Sequence, residues 1–393
     1  MATIKLAARI ERMGGEGAAQ MIAKARRLES EGRPIIHLEV GEPDFDTPVH
    51  IKRRAEEALA ANQTHYASSQ GLLQLREALS HHLRRSRGVA VSPDRIAVSP
   101  GCKDMIFSIL SVLVEDGDEV LCCAPAYPAY ATIVEYLGGR AVPVPLHEAL
   151  DFRFDVDEMA RLITPRTRLL VLNSPQNPTG GVLTRQDVER IAALAEEKDI
   201  LILTDEIYSR MVYEGEYHSI YSLPGMVDRT MLVDGFSKSH AMTGWRLGYA
   251  AMPLPVCQRV TRLLINSVSS VTTFVQWAGI AALEGPQEEV VAMVAEFARR
   301  RVRMVEGLNR LPGVTCRSPQ GAFYVFPNIR PLGRPSAELA DYLLESAGVA
   351  TLPGTAFGAA GEGYLRLSYA NSIENIERAL QQMDAALAIA TKG

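Results

Sequence analysis

"DILILTDE" (199–206) is a short β-rich run that ends on two carboxylates, and it stands in a series. Similar runs occur at "RIAVSP" (95–100), "DEVLCCA" (118–124), "RLLVLNSP" (168–175), "RTMLVDGFS" (229–237) and "RLGYAAMP" (246–253). Helical apolar patterns over 102–114, 127–137 and 184–197 fall between several of them. Strands alternating with helices at this spacing predict an α/β domain with a mostly parallel sheet. The alternation lapses between 207 and 229, where no helical pattern stands out. Past residue 286 the pattern changes to a long charged helix (287–310), the runs "GAFYVFP", "GVATLP" and "YLRLSYA", and a terminal helix from about 373. That reads as a smaller α+β domain. The helical pattern at 15–31 and the run "IIHLEV" (35–40) need a face to cover and are expected to pack with it. The expected division is therefore 48–285 for the large domain, and 1–47 with 286–393 for the small one.

Composition narrows the function. A chain that is 47% hydrophobic and 22% charged is an ordinary globular one. Its net charge of −5 gives no reason to expect nucleic acid or an anionic membrane as partner. No apolar run is long enough to span a bilayer, and the start "MATIKLAARIERMGGEG" has no signal-peptide core, so cytoplasm is the expected location. Five scattered cysteines form neither a disulfide framework nor a CxxC pair, and no metal is expected. Only seven of the 41 basic residues are lysine, which makes each lysine's setting informative.

Polar signals collect where strands end, the place where open α/β sheets bind ligands. "SPGCKD" (99–104) follows a strand and opens a helix; Gly101 permits a tight turn, and the amides of Cys102 and Lys103 would face an anion. "NSPQNPTG" (173–180) presents Asn177, "TDEIY" (204–208) presents Asp205 and Tyr208, and "FSKS" presents Ser237 and Lys238, with Arg246 eight residues on. An anion cradle, a carboxylate, two neutral hydrogen-bonders and a lysine suit a phosphorylated nitrogen heterocycle bearing an aldehyde. Lysine is suited to Schiff-base formation, and a carboxylate keeps a pyridine nitrogen protonated. Tyr127, in "APAYPAY", offers a face for ring stacking. Each residue also has a plainer reading: Asp205 as a helix cap, Tyr127 as core, Arg366 as half of an ion pair.

Taken in order, "GEPDFDTP" (41–48), "YASSQGLLQLREAL" (66–79), "NSPQNPTG", "TDEIY", "SKSHAMTGWRLGY", "GAFYVFP", "PGTAFG" (353–358) and "YLRLSYA" resemble the fold-type I, class I/II aminotransferases that use pyridoxal 5′-phosphate (PLP). The resemblance covers nearly the whole chain. It implies a mostly parallel seven-stranded sheet in the large domain. It implies that an amino group moves from an L-amino acid to a 2-oxo acid by a two-stage transamination, with Lys238 as Schiff base and proton shuttle. Asp205 would sit on the ring nitrogen, and Asn177 and Tyr208 on the ring oxygen. Ser237, Arg246 and the Gly101–Lys103 turn would take the phosphate. Arg366 would hold the substrate α-carboxylate, a bidentate task for arginine, with Gly41 and Asn177 beside it. Tyr66 resembles the tyrosine that reaches the neighbouring subunit's phosphate, so a homodimer with shared active sites is implied.

Two residues bear on the donor side chain. In aspartate-using relatives a lysine placed like Lys103 approaches a distal carboxylate. Glu16 would instead attract a cation, and "GGEGAAQMIAKA", "SLPGM" (222–226) and "SKSHAMTGW" look more like arginine–pyruvate aminotransferases. A PLP lyase of the same fold keeps every cofactor residue and stays open at this level, whereas the acidic net charge and the lack of a winged-helix segment speak against a non-catalytic PLP-binding sensor.

Overall fold

The computed structural model describes residues 4–14 and 17–390. Its centre is a sheet built from β1 (Ile96–Ser99), β2 (Glu119–Ala124), β3 (Arg140–His147), β4 (Arg153–Phe154), β5 (Thr167–Asn173), β6 (Leu201–Asp205), β7 (Thr230–Gly235) and β8 (Gly248–Ala251). The order across it is β1-β8-β7-β6-β5-β2-β3-β4. The five neighbours from β7 to β3 run parallel, while β1, β8 and β4 are antiparallel to the strands beside them. The expected mostly parallel α/β sheet is therefore present. It has eight strands, the eighth being the two-residue edge strand β4, too short to leave a signal in sequence.

Strands β6 and β7 are buried along almost their whole length, because both faces of the sheet are covered. Strand β3 was not among the expected runs. Pro143 and Pro145 interrupt its β pattern, and proline donates no ladder hydrogen bond. The strand tolerates them because β4 reaches only Leu146 and His147, leaving the prolines without a second neighbour.

The helices Cys102–Leu113, Ala129–Tyr136 and Arg185–Glu197 fall where the periodicity puts them. Cys102–Leu113 buries Met105, Ile106, Ile109, Leu110 and Leu113, an apolar face at helical spacing. Between β6 and β7 only two short 3-10 turns occur, Ile220–Ser222 and Met226–Asp228.

The remaining described strands form two smaller sheets. Ile36–His37 pairs in parallel with Val349–Ala350, and Leu365–Ser368 lies between Tyr324–Val325 and Leu352–Pro353. The Glu288–Leu308 helix packs on the terminal Ile373–Ala390 helix. One consequence matters for the site. The 41–48 segment is tied down from two sides. Arg300 of the long helix pairs with Asp44 at 2.7 Å, and Phe297 meets Phe45 edge-on at 5.3 Å. From the other side the Thr47 hydroxyl donates to the Ala241 carbonyl at 2.6 Å, and the Trp245 indole donates to Thr47 at 3.0 Å. Gly41 is thereby held over the loop that carries Lys238. Among the described residues no helix is long and apolar enough to cross a membrane, and all five cysteines are free thiols.

Candidate active site

The chain order fixes where a ligand can sit. From β2 the chain moves outward to β3, then returns to β5 on the other flank and continues to β6 and β7. The order reverses between β2 and β5, and a crevice opens at such a switch point, outside the carboxyl ends of the strands. A cavity of about 380 Å³ lies there. Cys102, Lys103, Tyr127, Asn177, Asp205 and Tyr208 line it, and so do Ser237, Lys238, Arg246, Arg366 and Gly41.

Lys238 lies in the turn that follows β7, and its Nζ donates to the Gly41 carbonyl at 2.5 Å. Burial lowers its pKa to about 8; Glu42 and Cys102 work against that shift, and Arg366 and Arg246 add to it. At neutral pH a lysine so placed is neutral in roughly a tenth of the molecules, far more than an ordinary lysine, and the neutral form is the nucleophile or base. The Gly41 contact is made by its carbonyl. A Cβ there would come within 2.5 Å of the Tyr324 hydroxyl, so only glycine fits between Tyr324 and Lys238.

Asp205 closes β6. It accepts from the Tyr130 hydroxyl at 2.7 Å and from the Ile207 amide at 3.2 Å. Burial raises its pKa to about 6 despite those two donors. The carboxylate is thus buried with neutral partners, a setting that a cationic N–H would satisfy. The Tyr208 hydroxyl shares a hydrogen bond with that of Tyr324 at 2.8 Å, and burial pushes its pKa well up.

The anion cradle forms at the other end of the cavity. Gly101, at φ +87°, precedes the Cys102–Leu113 helix without a side-chain cap. The first-turn amides of a helix lack intrahelical acceptors and point outward. A Cβ on Gly101 would lie 2.4 Å from Arg246 Nη2, and one on Gly248 would lie 2.6 Å from the Cys102 amide nitrogen. The cradle therefore needs glycine at both positions. Arg246 itself has φ +54°, uncommon for a residue with a side chain. Its Nη1 donates to the Thr243 carbonyl at 2.9 Å and its Nη2 to that of Pro100 at 3.4 Å.

Arg366 comes from the Leu365–Ser368 strand and is buried. Its Nη1 donates to Asn177 Oδ1 at 3.3 Å, and its Nη2 donates to the Glu39 carbonyl. Its guanidinium lies over the rings of Tyr324 and Phe357 at 4.5 and 5.0 Å. Its Nε is buried with no hydrogen-bond partner.

Two expected residues among those described stand apart from the cavity wall. Gly101 acts through the turn behind it. Tyr66 is 90% exposed and does not line the cavity in the single chain. Glu16 lies outside the described residues. Lys103 is exposed at the rim, with Nζ 5.5 Å from the Tyr127 ring centre. Sequence reasoning missed Tyr130, Tyr324 and Glu39. Tyr130 could have been found: it is three residues past Tyr127 in "APAYPAY", one helical turn away.

The family model for aminotransferase class I and II matches residues 33–383. The aromatic-amino-acid aminotransferase 2 of Thermococcus litoralis is 43% identical over 357 residues, 90% of this chain and 92% of its own length. The arginine–pyruvate transaminase of Pseudomonas aeruginosa is 38% identical over 375 residues, 95% of each chain. The solved structure of the aspartate aminotransferase from Thermus thermophilus with maleate superposes at a TM-score of 0.93 and 39% identity, covering 98% of this chain and 100% of that one.

Proposed function

The chain belongs to the class I and II aminotransferases, and from that premise we propose how its cavity performs transamination between an L-amino acid and a 2-oxo acid. The family is PLP-dependent, and the residues present fit that cofactor. The glycine-walled cradle suits a phosphate, the buried Asp205 has no ion-pair partner among the described residues, and the depressed lysine lines the same cavity. When bound, PLP supplies an electron sink that makes the Cα proton of an amino acid removable.

We assign the holding residues as follows. Lys238 takes the aldehyde end. Asp205 takes the ring nitrogen, Asn177 and Tyr208 the ring oxygen, and Tyr127 the ring face. Gly101, Cys102, Lys103, Ser237 and Arg246 take the phosphate. Arg366, with Gly41 and Asn177, holds the substrate α-carboxylate, and the unpartnered Nε supports that reading. With the substrate oriented by Arg366, Lys238 Nζ accepts the Cα proton and later delivers it. The observation that carries the assignment is the meeting of Lys238, Asp205 and Arg366 in one buried cavity.

Finer points are proposals of the same kind. We propose 48–285 as the large domain and 1–47 with 286–393 as the small one. The exposed Tyr66 supports a homodimer in which it reaches the neighbouring subunit's phosphate. Free thiols support a reducing compartment, the cytoplasm. Named relatives act on different donors, so likeness alone does not choose one. Lys103 at the rim favours a donor with an acidic side chain; Glu16 would favour a cationic one.

The test adds single amino acids to PLP-loaded protein without an acceptor and follows the cofactor's absorption. Loss of the lysine-bound band with at least one amino acid, and its return on adding a 2-oxo acid, is expected. Aspartate or glutamate reacting best supports Lys103 as the reader, and arginine or lysine reacting best supports Glu16. Pyruvate and ammonia released without acceptor would favour a lyase instead.

A further inference from the structure

Behind Arg366 stands a second carboxylate that the transamination above does not use. Glu39 is 1% exposed, yet it lines the same cavity. Its backbone carbonyl holds Arg366 Nη2. Its Oε1 lies 2.7 Å from His37 Nδ1, and its Oε2 is buried with no hydrogen-bond partner. Arg366 Nε is unpartnered in the same way. The Glu39 carboxylate acts electrostatically on the arginine that receives a substrate carboxylate, so an uncompensated charge there would compete with the substrate. It needs a counter-charge.

His37 provides one. Its Nε2 lies 3.0 Å from Glu29 Oε1, on the Gly17–Ser30 helix. The paired strand Val349–Ala350 contributes no titratable group, and the Asn371 amide donates to the His37 carbonyl. The charged groups facing His37 are therefore Glu39 and Glu29, with Arg366 beyond Glu39. The hydrogen bond to Glu39 raises the His37 pKa to about 9, against the effect of burial. At neutral pH the ring is cationic.

We propose that His37 and Glu39 form a charge-balanced pair that sets how tightly Arg366 holds the substrate carboxylate, with His37 as a positioning residue one side chain removed from the site. This rests on Arg366 being the carboxylate receptor. With His37 charged, the pair is neutral, and the field of Arg366 is available to the substrate. With His37 neutral, the Glu39 charge competes with the substrate for Arg366, and affinity falls.

The experiment compares H37Q, E39Q, H37Q/E39Q and R366Q in the PLP-loaded enzyme, measuring KM and kcat with the best donor. R366Q raises KM by about 100-fold or more if the carboxylate reading holds. H37Q raises KM by about 5- to 10-fold with kcat within about twofold. E39Q does not raise KM, and adding H37Q to E39Q has no further effect. The wild-type KM climbs as pH passes about 9, and this climb is absent in E39Q. Apart from activity, proton NMR of the apoprotein reads the His37 midpoint directly, and E39Q lowers it, since the hydrogen bond to Glu39 is the largest cause of its elevation. If H37Q does not fold, the pH series on wild type and E39Q carries the test. An equal KM increase from H37Q in both backgrounds, or an unmoved His37 midpoint in E39Q, overturns the pair. R366Q with an unchanged KM overturns the carboxylate reading itself. A raised KM in R366Q with none in H37Q overturns only the pair.

Discussion

Asp205 and Glu206 are neighbours at the end of β6, both buried, and they face opposite surroundings. Glu206 is fully engaged. Arg87 Nε donates to it at 2.8 Å, the Ser219 hydroxyl donates at 2.6 Å, and Arg87 Nη2 also reaches Asp234 at 3.5 Å. Asp205 receives only a tyrosine hydroxyl and one amide, and among the described residues no ion pair reaches it. Buried charge is ordinarily paired. The pair behind the strands obeys that rule within the chain. Among the described residues, the carboxylate in front has no ion-pair partner. The contrast separates a carboxylate that is ion-paired within the chain from one that we propose holds a ligand.

Predictions that would break or sharpen this contrast run from large to small. Replacing Lys238 by Ala removes the only lysine in the cavity besides the rim Lys103. Turnover should fall by about 10³-fold or more, measured as single-turnover loss of the donor. D205N should lower kcat by about 10²-fold while leaving the melting temperature of the apoprotein unchanged or higher, because an uncompensated buried charge is removed. E206Q should do the reverse. It breaks a buried pair, so denaturant unfolding should show a loss of about 3 kcal/mol, with kcat of the folded fraction within about threefold. If E206Q damages kcat as much as D205N does, the two carboxylates are not divided as argued.

The pH behaviour follows from the same residue. The folded Asp205 carboxyl has a pKa raised to about 6. The folded state thus keeps a proton that the unfolded chain has already released. Apoprotein stability should fall as pH rises from about 4 to about 6, and this fall should be missing in D205N, so that the wild-type-minus-D205N difference curve isolates it. Y130F is the smallest perturbation. It removes one donor from Asp205, so the midpoint of that fall should move upward, with kcat reduced by about two- to fivefold.

Much of this was legible in sequence, for physical reasons. Strand-end positions of Asp205, Asn177 and Lys238 follow from apolar runs that stop at polar residues, and the structure brings those side chains into one cavity. Strand β3 was hidden because its prolines mimic a loop. Tyr324 and Glu39 were hidden because their work depends on contacts between segments distant in the chain: Tyr324 lies 116 residues from Tyr208, and Glu39 lies 327 from Arg366. Nothing local marks a tyrosine or glutamate that is recruited across the fold. Tyr66 was visible as a motif, but its proposed partner belongs to another subunit.

The most direct measurement of the contrast is the protonation state of the cofactor's ring nitrogen, read by nitrogen NMR of ring-labelled PLP bound to wild type, D205N and E206Q. The account predicts a protonated nitrogen in wild type and in E206Q, and an unprotonated one in D205N at neutral pH. A ring nitrogen that stays protonated in D205N would contradict it, because Asp205 would then not be the partner that its buried, cation-free setting implies.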